Sequence, residues 1–351
     1  MLSFLVFLFI VSFLIVIHEA GHFIIARRNG VKVERFCIGF GPQILKKKIK
    51  DVEFAIGLIP LGGYVKLAGE NERESKGYDF EYLSKPINVR AKIVLAGPLT
   101  NYICAFLFFS LMFMVGHQIL LPVVGDFLKD SPAKKAGIKK GDVIVEVDGK
   151  KIENWQQLQK IVFNCKGKTL SVKVKRDSKI LDFKIKPTKR EYRDILGRKR
   201  KVYFLGIIAK GNTKTKKYPF FRAIFEGAKL LFFLTLMIFK ALFLMIIRVL
   251  PFREALTGPL GIYYLTKKVV HIGLGAIFHF IGVLSLSLAI FNILPFPILD
   301  GGHLLFLSLE KIRKKRLSPQ IEDLINNIAL SLLIFLVILV FINDIFKFVI
   351  K

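Results

Sequence analysis

The sequence predicts a polytopic α-helical membrane protein of about four spans, with a membrane-associated β-hairpin and an inserted small, mostly β domain. Two observations lead to this fold class. The 351 residues are 53% hydrophobic with a mean hydropathy of +0.50, and the apolar residues gather in runs long enough to cross a bilayer. Residues 122–208 instead alternate between apolar and polar side chains, which is typical of strands.

The predicted spans follow the apolar runs in chain order. No charged residue occurs from Met1 to Ile17, and Arg27 and Arg28 end the first run. Two prolines, Pro295 and Pro297, interrupt the third run, where they break the backbone hydrogen bonding. The four predicted spanning helices are residues 1–26, 93–115, 277–309 and 325–343.

Residues 218–250 are also apolar, but a charged stripe distinguishes them from the spans. Four charged residues fall on one side of the helix, which favours an amphipathic helix lying in the membrane interface over a span. These residues are Arg222, Glu226, Lys229 and Lys240. After this helix, a Gly-Pro pair predicts a turn at 257–262.

Residues 27–92 form a predicted inner-face loop that contains two strand-like segments. The segments are 35–42 and 53–66, and both carry the glycines and prolines of turns. Because both are too apolar for a solvated loop, a re-entrant β-hairpin lining a cavity is favoured. An ordinary small sheet on the inner face is the alternative.

The domain at 122–208 opens with the pattern SPAKKAGIKKGDVIVEVDG at 131–149. This pattern contains a short helix, a glycine turn and an alternating strand, and a helix near Trp155 and two further strands follow. The segment resembles a bacterial PDZ domain, a module that binds extended peptides by adding a strand to its sheet. The resemblance implies a peptide or chain-end ligand, and the basic residues favour one with a carboxylate or an acidic tail.

The net charge of +29 arises mainly from a basic excess between about residues 129 and 217. A membrane-tethered domain beside anionic headgroups explains this charge more simply than nucleic acid binding does. We therefore predict membrane lipid, and no nucleic acid, among the partners. The three cysteines form no C-x-x-C pair, so neither disulfides nor a cysteine zinc site is predicted.

The candidate chemistry lies in the sequence HEAGH at 18–22, near the end of the first span. Helical residues four apart project from one face, so His18 and His22 can hold one zinc ion, with Glu19 free to act as general base. Ionisable residues are costly inside a membrane and mark functional sites by default. Three of them within five residues indicate a metal centre rather than a satisfied polar group in a helix.

A catalytic zinc ion takes three protein ligands, so one more must come from elsewhere in the chain. Among the acidic residues of the later apolar spans, Asp300 is the one flanked by helix-breaking prolines and glycines. We therefore predict Asp300 as the third ligand. Gly301 and Gly302 are expected to let its helix approach the first one. His303, one turn further on, is the alternative ligand.

The depth of the ligands predicts the topology. His18 and Asp300 each lie about two-thirds of the way through their spans, so both helices should run in the same direction to meet. The N-terminus and the 122–208 domain are then outside, and the hairpin loop and the basic cluster 311–316 are cytoplasmic.

The motifs together resemble the bacterial site-2 proteases, the RseP-type zinc intramembrane metalloproteases. The matching segments run in family order over nearly the whole chain: HEAGH at 18–22, GFGP at 39–42, PLGGYV at 60–65, GPLTN at 97–101, FNILP at 291–295 and LDGGH at 299–303. The resemblance implies one zinc ion per chain on His18, His22 and Asp300, with Glu19 as the base. The implied substrate contacts are Asn292, Gly62, Gly63, Tyr64 and Pro295. Unlike the tandem-PDZ members, this chain has room for a single PDZ-like domain.

The implied function is cleavage of transmembrane segments in single-pass proteins, such as anti-sigma factors or signal-peptide remnants, in a bacterial cytoplasmic membrane. A metal or ion transporter that uses the same intramembrane cluster is the alternative, although few spans and no internal repeat count against it. A third hypothesis is a PDZ scaffold with a structural zinc ion, which Glu19 as a fourth ligand would support.

Overall fold

The fold is described from a computed structural model, which covers residues 2–193, 199–251 and 257–348. At residues 60, 61, 193, 199 and 200 only the backbone is described. Met1, where the first predicted span begins, and residues 194–198 of the predicted PDZ-like domain lie outside the described residues. The chain divides into two compact units: Met1–Met114 with Phe220–Lys240 and Ala255–Lys351, and Val115–Pro219 with Ala241–Glu254.

Helices dominate the first unit. In chain order, the helices of the described residues are α1 (Leu2–Arg28), α2 (Ile87–Val115), α3 (Pro132–Lys135), α4 (Trp155–Phe163), α5 (Phe220–Ile246), α6 (Pro259–Ile272), α7 (Leu274–Ile293), α8 (Asp300–Arg313) and α9 (Pro319–Phe348). Within the described residues, α1, α2, α5, α7 and α9 are long and apolar enough to cross a membrane. The predicted interfacial placement of α5, and with it the number of spans, stays a prediction.

Several helix boundaries differ from those predicted from the sequence, including both ends of α9, which was predicted at 325–343. The third predicted span, 277–309, is two helices, because the proline-containing connection 294–299 separates α7 from α8. Helix α2 begins six residues before the predicted 93, since its polar first turns continue the helix beyond the apolar run. The predicted turn at 257–262 is wrong, because Pro259 occupies the first position of α6, where its missing N–H costs nothing.

The described strands are β1 (Val33–Ile49), β2 (Val52–Leu67), β3 (His117–Leu120), β4 (Val124–Phe127), β5 (Val143–Val147), β6 (Lys150–Lys151), β7 (Leu170–Arg176), β8 (Lys179–Ile185), β9 (Thr188–Arg193), β10 (Lys199–Phe204), β11 (Ile207–Ala209) and β12 (Thr213–Lys216). Strands β1 and β2 form the hairpin of the first unit and fold back on themselves. Cys37 pairs with Ala55 on one side and with Tyr64 on the other. Among the described strands, β1 is the only pairing partner of residues 63–67, the last part of β2. These residues therefore form a sheet edge.

The base of the hairpin packs on α1 through aromatic side chains. The ring centroid of Phe23 lies 5.7 Å from that of Phe36 and 6.1 Å from that of Phe54. Buried aliphatic residues, including Val31 and Ile93, complete this small core. The contact fixes the hairpin beside the HEAGH segment of the same helix.

The second unit is mostly β, as predicted. Its largest sheet has the strand order β6-β5-β7-β8, and its core gathers buried residues of β5, β7 and α4, among them Ile144, Val172 and Leu158. Asp142, which is 1% exposed at its side chain, accepts hydrogen bonds from Arg176 at 2.8 Å. Although burial raises the pKa of Asp142, the Arg176 guanidinium and Lys139, whose N–H also donates to this carboxylate, together outweigh it and hold that pKa below its usual value.

Candidate metal centre

Two helices deliver three potential metal ligands to one point. His18 and His22 project from α1, and Asp300 is the first residue of α8. Their ligand atoms lie within 4.8 Å of one another. The Nε2 atoms of the two histidines are 3.2 Å apart, and Asp300 Oδ2 and Oδ1 lie 3.1 Å from His18 Nε2 and 3.5 Å from His22 Nε2. The three residues that the sequence singled out therefore form one cluster.

The donor set fits a zinc ion. Two imidazoles and one carboxylate are a ligand combination of catalytic zinc sites. Asp300 Oδ2 is buried and, within the part of the chain that the structure describes, makes no hydrogen bond in spite of its 3.1 Å approach to His18, so it lacks a partner that a cation would supply. Side-chain exposure of only 12–15% limits access of bulk water to the three groups.

The ring of His22 is held in an orientation suited to ligation. Its Nδ1 lies 2.8 Å from the carbonyl oxygen of Ile93 in α2. A proton on Nδ1 donated to this carbonyl leaves Nε2 free to bind a metal. The sequence analysis missed this contact, because a backbone acceptor leaves no sign in the sequence.

Glycines let α2 pack directly against the histidines. A Cβ on Gly97 would lie 2.2 Å from His22 Nε2 and 2.7 Å from His18 Cε1, and one on Gly21 would lie 2.4 Å from the Ala96 carbonyl. The sequence analysis identified the GPLTN motif but not this role for its glycine. A glycine in the middle of an apolar helix is the signal that could have revealed it.

Glu19 and the hairpin edge line the same cavity as the ligands. The cavity has a volume of about 610 Å³. Its lining includes His18, Glu19, His22, Gly63, Tyr64, Asn292 and Asp300. A Cβ on Gly63 would lie 3.4 Å from Glu19 Cγ, so the sheet edge passes close to the predicted base.

Two of the predicted substrate-contacting residues do not line this cavity. Gly62 has a φ of +113°, and a Cβ there would overlap the ring of Phe40. It is therefore needed for the backbone conformation and packing of the hairpin. Pro295 lies in the connection between α7 and α8 and is exposed.

The two glycines after Asp300 have a different role from the predicted one. A Cβ on Gly301 would lie 2.2 Å from the Leu294 carbonyl, and one on Gly302 would lie 2.3 Å from the Phe296 carbonyl. The expected approach to the first helix is wrong for these residues: they let the 294–299 connection fold over the start of α8. His303 lines the cavity, but the ligand cluster found among the described residues contains Asp300 and not His303.

The other end of α8 is anchored by an ion-pair network. Arg90 donates to Glu310 at 2.9 and 2.6 Å and to the Lys85 carbonyl at 3.1 Å, and Arg316 donates to Glu310 at 3.2 Å. Burial alone would raise the pKa of Glu310, but the two arginines outweigh it and lower that pKa. The network joins α8 to α2 and so restrains the helix that carries Asp300.

Comparison with known proteins identifies the family of the chain and several of its relatives. A sequence profile of peptidase family M50 matches residues 6–336. The chain belongs to peptidase family M50. A relative from Clostridium acetobutylicum is 33% identical over 335 residues, which are 95% of this chain and 94% of the relative. One from Agrobacterium fabrum is 30% identical over 359 residues, 97% of this chain and 94% of the relative. Both relatives bear the name “Putative zinc metalloprotease”.

The M50 assignment and these names support a zinc metalloprotease, and the long apolar helices agree with a membrane protein. A solved PDZ domain of the SdrC-like protein from Listeria monocytogenes is 25% identical to part of the M50 chain. The match covers 26% of the present chain and 85% of the chain of the solved PDZ domain, with a TM-score of 0.19. A TM-score this low supports no conclusion about the fold.

Proposed function

We propose that this M50 protein is a zinc-dependent intramembrane endopeptidase that cleaves transmembrane segments of single-pass membrane proteins. One observation carries the proposal: the His18–His22–Asp300 cluster, Glu19 and the edge of β2 line a single cavity. A transporter needs a metal cluster but has no use for a sheet edge beside it. An endopeptidase needs both.

The residues of the cavity divide the chemistry between them. His18, His22 and Asp300 would hold the zinc ion, which when bound supplies Lewis-acid polarisation of the peptide carbonyl and activation of water. Glu19 lies beside the ligands without belonging to their cluster, so its carboxylate is available to accept the proton of the attacking water. The same carboxyl group then donates a proton to the leaving amine.

The substrate must be extended before it can react, because a helix keeps its carbonyl groups in internal hydrogen bonds. Residues 63–67 offer an edge to which an extended segment can add as a further strand. Gly63 and Tyr64 belong to this edge, and Asn292 lines the cavity. We propose these three as substrate contacts, with Gly62 and Pro295 supporting the hairpin and the α7–α8 connection.

The proposal extends to location and partners. We place the protein in a bacterial cytoplasmic membrane, with the N-terminus and the PDZ-like domain outside, and the hairpin and the 311–316 cluster in the cytoplasm. Anti-sigma factors and signal-peptide remnants are the proposed substrates. The PDZ-like domain would bind a peptide or chain end and regulate access to the cavity.

Cleavage by the Glu19→Gln variant tests the function. The wild-type protein, reconstituted with zinc and a tagged single-pass substrate, should cut it, and the variant should lose about 10²–10⁴-fold in rate while retaining zinc. Glu70→Gln is the matched control, because Glu70 lines the same cavity and accepts a 2.9 Å hydrogen bond from the Leu67 N–H that an amide oxygen can also accept. Undiminished cleavage by Glu19→Gln, or zinc flux through wild-type proteoliposomes without cleavage, would refute the proposal.

A further inference from the structure

We propose that Asn101 is a positioning residue for the metal centre: its side-chain oxygen accepts the Nδ1 proton of His18 and so directs His18 Nε2 to the metal. The inference rests on the proposed zinc site and adds a residue to it.

Asn101 is buried and aimed at the site. The residue is 0% exposed, and its Nδ2 lies 3.4 Å from His18 Nδ1. Its Oδ1 is buried and has no hydrogen-bond partner among the described residues. Its backbone carbonyl accepts a 2.8 Å hydrogen bond from Ser285 Oγ of α7. The Asn101 amide thus lies beside His18 with its acceptor oxygen unused.

Metal ligation decides which way the amide must point. A histidine that binds a metal through Nε2 carries its proton on Nδ1, and that proton needs an acceptor. His22 has one in the Ile93 carbonyl at 2.8 Å. For His18 the group at Nδ1 is the Asn101 amide.

An NH₂ group facing His18 Nδ1 would be incompatible with ligation. It would donate to Nδ1 and leave the imidazole proton on Nε2, the atom that faces Asp300. Rotating the amide by 180° exchanges its oxygen and nitrogen without moving other atoms. The oxygen that now lacks a partner then accepts the Nδ1 proton, and Nε2 becomes free for the metal.

The chemical type of this residue also fits its surroundings. Glu19 and Asp300 already bring two carboxylates to a site in which charges are poorly solvated. A neutral amide supplies the acceptor without a third negative charge. Asparagine at this buried position is thus suited to the single function of fixing a tautomer.

Zinc affinity of two Asn101 variants tests the inference. In competition with a chromogenic chelator, Asn101→Leu, which removes the acceptor at similar volume, should weaken zinc binding about 10–100-fold. Asn101→Asp keeps an acceptor oxygen at the same place, and the bound zinc ion would offset its added negative charge as in carboxylate–histidine–zinc triads, so this variant should bind zinc within a few-fold of wild type. The visible spectrum of the cobalt(II)-loaded protein should change in Asn101→Leu and be retained in Asn101→Asp.

A matched control separates this role from packing. Ser285→Ala removes the hydrogen bond to the Asn101 backbone and leaves the amide intact, so zinc affinity and the cobalt spectrum should stay at wild-type values. Asn101→Ala, a second variant without an acceptor, should repeat the loss in case Asn101→Leu does not fold.

Two results would overturn the inference while leaving the zinc site in place: wild-type affinity in the variants without an acceptor, or equal losses in Asn101→Asp and Asn101→Leu. Failure of the wild-type protein itself to bind zinc would refute the metal centre, and the proposed function with it.

Discussion

The buried pair of Arg90 and Glu310 should hold α8 in the position that brings Asp300 to the metal. Their side chains are 4% and 15% exposed and are joined by two hydrogen bonds of 2.9 and 2.6 Å. Removing one partner of a buried pair leaves an uncompensated charge and costs about 3–5 kcal/mol. We therefore expect either single replacement to be strongly destabilising.

The structure also predicts which of the two single replacements lowers the stability more. Without Arg90, Glu310 keeps Arg316 at 3.2 Å, whereas without Glu310, Arg90 keeps only the Lys85 carbonyl. Glu310→Leu should therefore destabilise more than Arg90→Met. The double replacement leaves neither member of the pair charged, so it should recover part of the loss, with a coupling energy of about 2–3 kcal/mol.

Unfolding in a double-mutant cycle, measured in detergent, gives these energies directly. Asp300 lies ten residues before Glu310, about 15 Å along the helix, so zinc affinity should fall in the same order as stability. Arg73→Met is the control, because Arg73 and Asp323 form a 2.8 Å pair that is 69% and 54% exposed. That pair should contribute at most about 1 kcal/mol. Additive losses of stability in the cycle, or a loss of stability for Glu310→Leu no larger than for Arg73→Met, would show that the Arg90–Glu310 pair does not hold α8 in place.

Three further predictions concern the site and its surroundings. Gly97→Ala should reduce zinc binding more than about tenfold, since its Cβ would fall 2.2 Å from His22 Nε2; wild-type affinity in a chelator titration would contradict this. Asp300→Asn should keep the fold, weaken zinc and abolish cleavage, as judged by circular dichroism, metal analysis and a cleavage assay; full activity would make His303 the candidate ligand. As pH falls, the stability gap between wild type and Glu310→Gln should persist to about pH 4.5 and close below it, because a carboxyl with a lowered pKa loses its stabilising effect only as it protonates. A gap that closes near neutral pH in thermal unfolding would show that another group is responsible.

The sequence singled out the candidate metal ligands because their chemistry is unusual for their location. Two histidines at helical spacing and an acid between helix-breaking residues stand out in apolar segments, and the structure places them in one cluster. The apolar helices and the mostly β insert were likewise predictable from hydropathy and alternation. Local patterns of this kind reflect which side chains meet lipid, water or a core.

The contacts between elements were not predictable in the same way. The partner of His22 is a backbone carbonyl, and the neighbours of Gly97 and Gly301 depend on helix placement in three dimensions. The polar start of α2 was predicted as part of a loop. Arg90 in this segment is compensated by Glu310, which lies 220 positions further along the chain. Pairings of this range carry no local sequence signal, so only the folded chain reveals them.

Zinc-edge X-ray absorption on the purified protein tests the proposed metal centre. We expect one zinc ion per chain, coordinated by two imidazole nitrogens at about 2.0–2.1 Å and by carboxylate or water oxygen at about 2.0–2.2 Å. Glu19→Gln should leave this spectrum unchanged, because Glu19 acts on the water and not as a ligand. Coordination by sulfur, a coordination sphere that changes in Glu19→Gln, or a protein that retains no zinc would contradict a catalytic zinc site on His18, His22 and Asp300.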